Sequence, residues 1–531
     1  MARRGALEDQ KTPQKQRAQV PKSLPAPIGG WNTRDSLAAM KPTDAVLLTN
    51  FLSQPSQVTT RLGTIPFLGT DGGAEFFNMM GFYGGSSNAL FAATASTIYN
   101  VTTGTAVAAV TGLTNGFWQY VNFSTAAGPF MLAVNGADNM QVYNGSTWSN
   151  TATFTFGAGT LNTNTLCNIC VYQNTLYFCA NQQLGFYYLQ AQSISGTAYF
   201  FNLGAMCRRG GYLMAIATWT IDGGEGPNDY ICFITSEGEC VVFQGLSFLI
   251  ANGISGSVTP VGNYYIGRPL GRKCTVKYGG DLLILTEQGI YPMSKALASS
   301  QIDRSSSLTD KIEPTFRAYA TSLFSTYGWS LTIHANAHFL LVNVPSSPPV
   351  QLVMELQAQA WSEFTSWPAN DFIYFEGVLY FTSEASPWQV QEAWTGTYDQ
   401  LGVSGTKSAI TWTCVPAFNY FDVRGQIKEI LLVRPFFDAN GTFGYVIGAC
   451  TDLVVTIPST SPQAVNTTYA LWDSALWDVG LWASNAIQTK LWSTPGAAPC
   501  LCFAPYFSGS SNSAQIGLQA YDVLYQIGGV L

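Results

Sequence analysis

Charge is what this sequence has least of. Only 10% of its 531 residues are Asp, Glu, Lys or Arg, where ordinary soluble domains carry about 25%. Histidine occurs twice, at His334 and His338. No stretch of about 18 residues is apolar, uncharged and free of Gly, Asn, Ser or Thr, which excludes a multi-span membrane protein and predicts no stable membrane insertion. Residues 1–22 have no apolar core of the kind a secretory leader needs. There is no Walker A sequence, no G-x-G-x-x-G between a strand and a helix, and no G-x-S-x-G elbow before a helix. What is present is 47% apolar and 14% aromatic, with 51 Gly, 26 Tyr and 14 Trp. Disorder needs the opposite composition. These numbers predict a β-rich protein with a Ser/Thr/Asn/Gln surface, of the kind that neighbours in an assembly cover.

The net charge of −7 is unevenly spread. Arg3, Arg4, Lys11, Lys15, Arg17 and Lys22 stand against only Glu8 and Asp9, so residues 1–22 contribute +4 and the rest carries −11. A body that acidic does not grip phosphates broadly, because nucleic-acid affinity comes mainly from Lys and Arg displacing counterions. The basic segment reads as a solvated tail or as an arm that touches nucleic acid or a partner.

Eleven cysteines, an odd number, argue against a disulfide framework and fit a reducing cytoplasm. Cys167 and Cys170 form a C-x-x-C, and Cys500 and Cys502 the only other close pair. Both pairs sit in strand-like apolar text, where free cysteine acts as a small hydrophobe.

Along the chain, residues 1–29 read as a flexible basic arm closed by Pro21, Pro25 and Pro27. The stretch from Pro42 to Asn50 predicts a short helix with Thr43 as N-cap. From about 64 to 400 a hairpin unit recurs: apolar alternation, a tight turn with Gly or Ser, then an apolar–aromatic return. The residue after each turn falls at Tyr99, Tyr143, Tyr187, Phe243 and Tyr291, in steps of 44, 44, 56 and 48. A period of roughly 40–55 residues with four strands per unit is the signature of a β-propeller. One blade cannot bury both faces alone, and packing blades around an axis covers each with the next. The expected architecture is all-β: a six- or seven-bladed propeller over 30–400, with a helical insertion near 306–327 that holds a helix from Thr309 to Phe324. Residues 401–531 read as a smaller β-sandwich or outer sheet serving assembly, with a hairpin through Asn440–Gly441. Within it Trp472, Trp477 and Trp482 recur every five residues, with Trp492 beyond. Five fits neither a helix face nor a strand face, so these tryptophans are candidate subunit contacts or anchors of a local mini-core.

The chemistry legible in the chain is thin. His334 and His338 bracket Ala335–Asn336–Ala337 and read as a hairpin tip rather than a zinc pair. The loop Thr218–Tyr230 offers oxygens from Asp222, Glu225, Asn228 and Asp229, a weak calcium candidate, since calcium takes six to eight oxygen ligands but this spacing matches no EF-hand. Its plainer reading is a turn between blade strands. A carboxylate pair for glycoside hydrolysis could be drawn from Asp222, Glu225, Glu237 and Glu239, though nothing in their spacing sets two of them at the separation that chemistry needs. No catalytic residue, cofactor or metal is expected, and the five N-x-S/T sequons read as composition noise.

The block Gly29–Phe51, GGWNTRDSLAAMKPTDAVLLTNF, with Thr60–Gly63 behind it, resembles the opening of tailed-phage virion proteins. The residues that carry the resemblance are Asn32, Arg34, Asp35, Met40, Asp44, Ala45, Leu48, Asn50, Arg61 and Gly63. Leu132–Trp148 and Ala217–Gly245 are similar to stretches of the same proteins. The resemblance covers roughly residues 28–300 and is to podovirus-type tail nozzle (tail tubular protein B-like) and packaged-DNA-stabilisation proteins. It implies a non-enzymatic tail nozzle or hub subunit located in the virion and made in the bacterial host cytoplasm. It implies a hexameric ring below the portal and adaptor complex, contacts with tail fibres or spikes, and genomic DNA retained and ejected through the channel without specific binding. An acidic body suits such a conduit. The alternatives are a receptor-binding protein and a glycan-degrading tail protein on a propeller scaffold.

Overall fold

The computed structural model describes residues 19–530, except 71–72, 86, 223–226, 246–247, 249–256, 299–303, 442, 459–462, 466–486 and 490. Seven antiparallel blades of three or four strands follow one another along the chain, the last two continuous with strands of the second body in one 15-stranded sheet. Blade 1 comprises Phe76–Phe82, Ala89–Thr94, Thr97–Asn100 and Val107–Thr111. Blade 2 comprises Gln119–Thr125, Gly128–Val134, Gln141–Tyr143 and Trp148–Ser149. Blade 3 comprises Leu166–Tyr172, Thr175–Ala180, Gly185–Tyr188 and Tyr199–Asn202, with a small sheet of Phe154–Phe156, Gly159–Leu161 and Gly196–Thr197 beside it. Blade 4 comprises Leu213–Asp222, Pro227–Thr235, Glu239–Gln244 and Thr259–Tyr265. Blade 5 has three strands, Thr275–Tyr278, Asp281–Thr286 and Gly289–Pro292. Blade 6 comprises Ser330–His334, Phe339–Val344, Val350–Glu355 and Ala360–Thr365.

Blade 7 supplies Ala369–Phe375, Val378–Ser383 and Val390–Ala393, and its fourth strand comes from the far end of the sequence. Thr64–Pro66 pairs antiparallel with Gln391–Ala393. The first strands of blades 7 and 1 touch, as do those of blades 2 and 3, 3 and 4, 5 and 6, and 6 and 7. Blades 1 and 2 share a core of Met80, Phe82, Phe91, Trp118, Met131 and Tyr143. The result is an all-β, seven-bladed propeller, within the expected six or seven. The recurring aromatics fall where the repeat requires. Tyr99, Tyr143, Tyr187, Phe243 and Tyr291 all lie on the third strand of consecutive blades, facing Ala92, Met131, Phe178, Ile231 and Ile284 on the second.

The second body is a β-sandwich. One sheet runs Phe51–Ser53, Val58–Thr60, Ile516–Val530, Gln426–Ala439 and Ile487–Thr489, with Gln19–Pro25 also paired to Ile516–Val530. The other contains Asp44–Thr49, Ser408–Pro416, Phe503–Ser511, Phe443–Thr451 and Gln463–Val465. Aromatics interdigitate between them: Phe437 meets Tyr445 and Phe507, and Phe507 meets Tyr521.

Several local expectations give way to non-local pairing. Residues 30–60, expected at the start of the propeller, belong to the sandwich. The segment expected to be a helix over 42–50 is the strand Asp44–Thr49, which pairs with Thr413–Pro416 and beside Gly30–Trp31. Part of the expected flexible arm, Gln19–Pro25, is a strand against Ala520–Gln526; residues 1–18 lie outside the described residues. Asn440–Gly441 is not a hairpin: Gln426–Ala439 and Phe443–Thr451 go to opposite sheets, because each then buries its aromatic face in the shared core. The helical insertion consists of a 3-10 turn, Asp310–Ile312, and the helix Glu313–Ser322, with Phe316 and Ala320 buried.

The chain enters the closing strand through Gly63. A Cβ there would stand 1.8 Å from the carbonyl oxygen of Tyr398. Gly63→Ala is therefore expected to lower the melting temperature by several degrees, on the order of 2 kcal/mol or more. Gly73→Ala, in open space, is expected to leave it unchanged; thermal unfolding followed by circular dichroism checks both.

Candidate functional site

The sandwich and the propeller share an apolar core and are tied by a polar knot that residues of the N-terminal block build. Arg61 is buried, with its side chain 0% exposed. All five of its N–H donors are used. Nε donates to Asn50 Oδ1 at 2.9 Å. Nη1 donates to Leu62 O at 3.0 Å and Asp399 Oδ1 at 2.9 Å. Nη2 donates to Thr365 O at 2.9 Å and Asp399 Oδ2 at 2.7 Å. The guanidinium also lies over the Trp367 ring, 4.9 Å from its centroid. This is a fork-to-fork carboxylate pair, the geometry only arginine supplies.

Asn50 completes the knot. Its amide nitrogen donates to Thr365 Oγ1 at 2.8 Å and Thr411 O at 2.7 Å, and its oxygen also accepts from Thr365 N at 2.9 Å. Its φ of +58° lies in the left-handed region, which asparagine tolerates better than most residues. Asp399 is fixed through its backbone too: Tyr398–Asp399 pairs with Ser408–Ala409 of the sandwich, and Asp399 with Thr64 of the closing strand. Blade 6, blade 7, the closing strand and the sandwich thus meet on one guanidinium.

A second cluster ties the block to the helical insertion. Asp44, 1% exposed, accepts from Asn32 Nδ2 at 2.8 Å and Lys311 Nζ at 3.0 Å. Lys311 also donates to Gly29 O at 2.9 Å. Arg34 pairs with Asp310 and, at 2.8 Å, with Asp35. The hydrogen bond from Arg34 is the main reason the Asp35 carboxyl titrates below its usual range.

One cavity opens at the axis, about 270 Å³ in volume. Its walls come from the starts of the first strands: Phe117 and Gln119 of blade 2, Met214 of blade 4, Arg272 and Lys273 before blade 5, Tyr327–Ser330 entering blade 6, and Asn370 and Asp371 of blade 7. Lys273 Nζ stands 2.6 Å from Asp371 Oδ2, which also accepts from Met79 N at 2.8 Å. Asp371 Oδ1 and Arg272 Nη1 are buried without a protein hydrogen-bond partner. Such a chamber can hold water or a small polar molecule.

The candidates named from sequence do not converge. Asp222 ends a strand of blade 4, and Glu225 lies outside the described residues. Asp229 has both carboxylate oxygens engaged, by Gln173 Nε2 and by Thr220 Oγ1, each at 2.5 Å. Glu239 is buried and accepts from the backbone N–H of Arg208 and Arg209 and from Asn263 Nδ2 at 2.8–3.0 Å. Burial alone would push its carboxyl up, but these bonds outweigh it and its pKa is lowered. Among the described residues no three His, Cys, Asp or Glu side chains cluster as metal ligands. Trp472, Trp477 and Trp482 lie outside the described residues; Trp492 is at the sandwich surface, with the Arg434 guanidinium 4.5 Å from its ring centroid. All eleven cysteines are free thiols, and burial pushes Cys170 and Cys274 up to about 12. His334 does end a hairpin strand; its Nδ1 accepts from Ala337 N at 3.1 Å.

Sequence reasoning missed Asp399, Thr365, Lys273 and Asp371. Asp371 alone had a signal, its rarity: in text with so few charges, a lone acid inside an apolar strand, before Phe372–Ile373, has a buried partner.

The geometry defines a class: a seven-bladed β-propeller bolted to a β-sandwich. No family model matches the chain, and no curated protein matches it. Among solved structures it is similar to YCF48 solved with a bound peptide, at 11% identity and TM-score 0.38 over 66% of this chain and 99% of that one. It is similar to the Cps50 (Swd1) β-propeller domain of Myceliophteria thermophila, at 9% and 0.38 over 64% and 100%. A third is a putative 6-phosphogluconolactonase of Bacteroides fragilis, at 11% and 0.35 over 67% and 97%. The fold assignment rests on the sheet order and ring closure described above.

Breaking a buried ion pair on one side costs roughly 3–5 kcal/mol, because the other charge is left unpaired. Arg61→Met and Asp399→Leu are each expected to destabilise by that order, and the double variant by clearly less than their sum; denaturant unfolding checks the cycle. Burial also lowers the His334 pKa to about 4 from the usual 6.5. Between those values the unfolded chain binds the extra proton, so His334 makes stability fall as pH drops from about 6.5 to 4. His334→Gln is expected to flatten that part of the melting temperature–pH curve.

Proposed function

We propose that the chain is a structural subunit of a tailed-phage virion, a tail nozzle or hub protein whose copies form a ring around a channel for DNA. The observation that carries this reading is the role of the block residues. Asn32, Asp44, Asn50, Arg61 and Gly63, on which the resemblance to virion proteins stands, are spent on the joint between propeller and sandwich. Their chemistry is mechanical. An arginine with every donor used, between four chain segments, resists relative motion of the two bodies, and a part that transmits load needs that. The excess of acid over base in residues 23–531 supports the same reading, since a conduit must not hold the phosphates that pass it.

Purified particles of the source phage provide the test. The reading expects the chain in the virion, as a ring of about six copies around an axial channel in a low-resolution cryo-electron map. Absence of the chain from the particle would overturn it. So would release of reducing sugar from host polysaccharide by the pure protein, which would favour the glycan-degrading alternative.

A further inference from the structure

Charge avoids one sector of this propeller. Between Glu75 and Arg208 the sequence holds a single charged side chain, Asp138, and no histidine. That stretch builds blades 1, 2 and 3 and the small sheet beside blade 3. The lone carboxylate is used locally: it accepts from Thr114 N at 2.9 Å, Thr114 Oγ1 at 2.7 Å and Asn135 Nδ2 at 2.6 Å. Charge resumes at both borders. Glu376 of blade 7 accepts from Asn88 at 2.6 Å, and Asp229 of blade 4 from Gln173 at 2.5 Å.

The sector is also sticky. Tyr83, Val107, Phe156 and Phe200 are exposed, Val107 at 58%. Phe156 and Phe200 flank Tyr187 with ring centroids 5.5 and 4.9 Å away. The outermost strand of blade 1, Val107–Thr111, pairs among the described residues only with Thr97–Asn100. Soluble proteins guard such edges with lysine, proline, an inward charge or a bulge; this one reads VAAVT, without charge or proline, and is interrupted only by a register shift between Ala108 and Val110.

We infer that blades 1–3 are the face through which copies of this chain pack against one another. Between Ser330 and Asp399, which covers blades 6 and 7, the sequence holds acids but no Lys or Arg, so two copies repel there and approach at less cost through the uncharged sector. A basic partner would be drawn to blades 6 and 7 instead, whereas an equally acidic partner, a second copy, gains most from the uncharged sector. Three of seven blades span close to half the circumference. That leaves room for the two different patches that a head-to-tail ring requires. The inference deepens the tail-subunit reading by naming the subunit contact.

The test is sedimentation velocity of the full chain at tens of micromolar. The wild type is expected to run well above the 57.4 kDa of one chain and to stay associated in molar salt, because no ion pair holds the contact. Val107→Glu/Phe156→Glu, and separately Phe200→Glu, are expected to weaken association by about tenfold or more. Tyr278→Glu on blade 5, at an equally exposed aromatic, is expected to leave it intact. Unchanged melting temperatures establish that the variants fold. A monomeric wild type, association that dissolves in salt, or sector variants that assemble like the wild type would each overturn the inference. Failure here and failure of the tail reading are separable. A virion subunit whose sector variants still associate loses only this contact, and a chain that associates through blades 1–3 but is missing from particles loses only the tail.

Discussion

The joint between the two bodies of this molecule is arranged around one buried cation. Arg61 sits in a protein almost without charge, removed from water and bound to Asp399, Asn50, Leu62 and Thr365. Desolvating a guanidinium costs several kcal/mol, and the cost is met only when every donor finds an acceptor and the counter-ion is held in line. That condition dictates the neighbourhood. Asp399 must be pinned by strands on both sides, Asn50 must adopt a left-handed backbone, and Gly63 must let Tyr398 approach without a Cβ between them. The ion pair is a poor source of net stability and a strong source of uniqueness: other dockings of sandwich on propeller would leave the charge stranded.

The same few residues solve the closure problem of a propeller. A ring of blades built in sequence order ends with an open edge beside its first blade. Here the last blade borrows Thr64–Pro66 from before the first, so the ring is latched by hydrogen bonds between residues more than 300 apart in sequence. Arg61 stands just before that latch and Asp399 just after the blade it closes. Sandwich, latch and ring are one mechanical unit, with a continuous core running from Trp412 and Phe437 to Leu282 and Phe316.

What the sequence made legible was local. Alternation of apolar residues, tight turns and returning aromatics are properties of adjacent strands, so Tyr99, Tyr143, Tyr187, Phe243 and Tyr291 marked the third strands of five blades. What it hid was non-local. Ala45, Leu47 and Leu48 have helical spacing, but their partners lie more than 360 residues away in Thr413–Pro416, and that pairing overrides propensity. Asn440–Gly441 has the composition of a hairpin turn, yet the strands on either side part because Phe437 and Phe443 face each other across the sandwich core. The joint was visible only as a resemblance: Asn50, Arg61 and Gly63 stood out as a block, while Asp399 and Thr365, which give them meaning, carry no signal of their own.

The claim that sandwich and propeller form one body latched at Arg61 is tested most directly by native-state hydrogen exchange of the full chain. Peptides covering the latch (58–66), the Asp399 turn and the sandwich strand Ser408–Pro416 are predicted to open together with blades 6 and 7, with one shared opening free energy close to that of global unfolding. Sandwich peptides that exchange much faster while blade 7 stays protected would contradict the account, because the joint would then be a hinge.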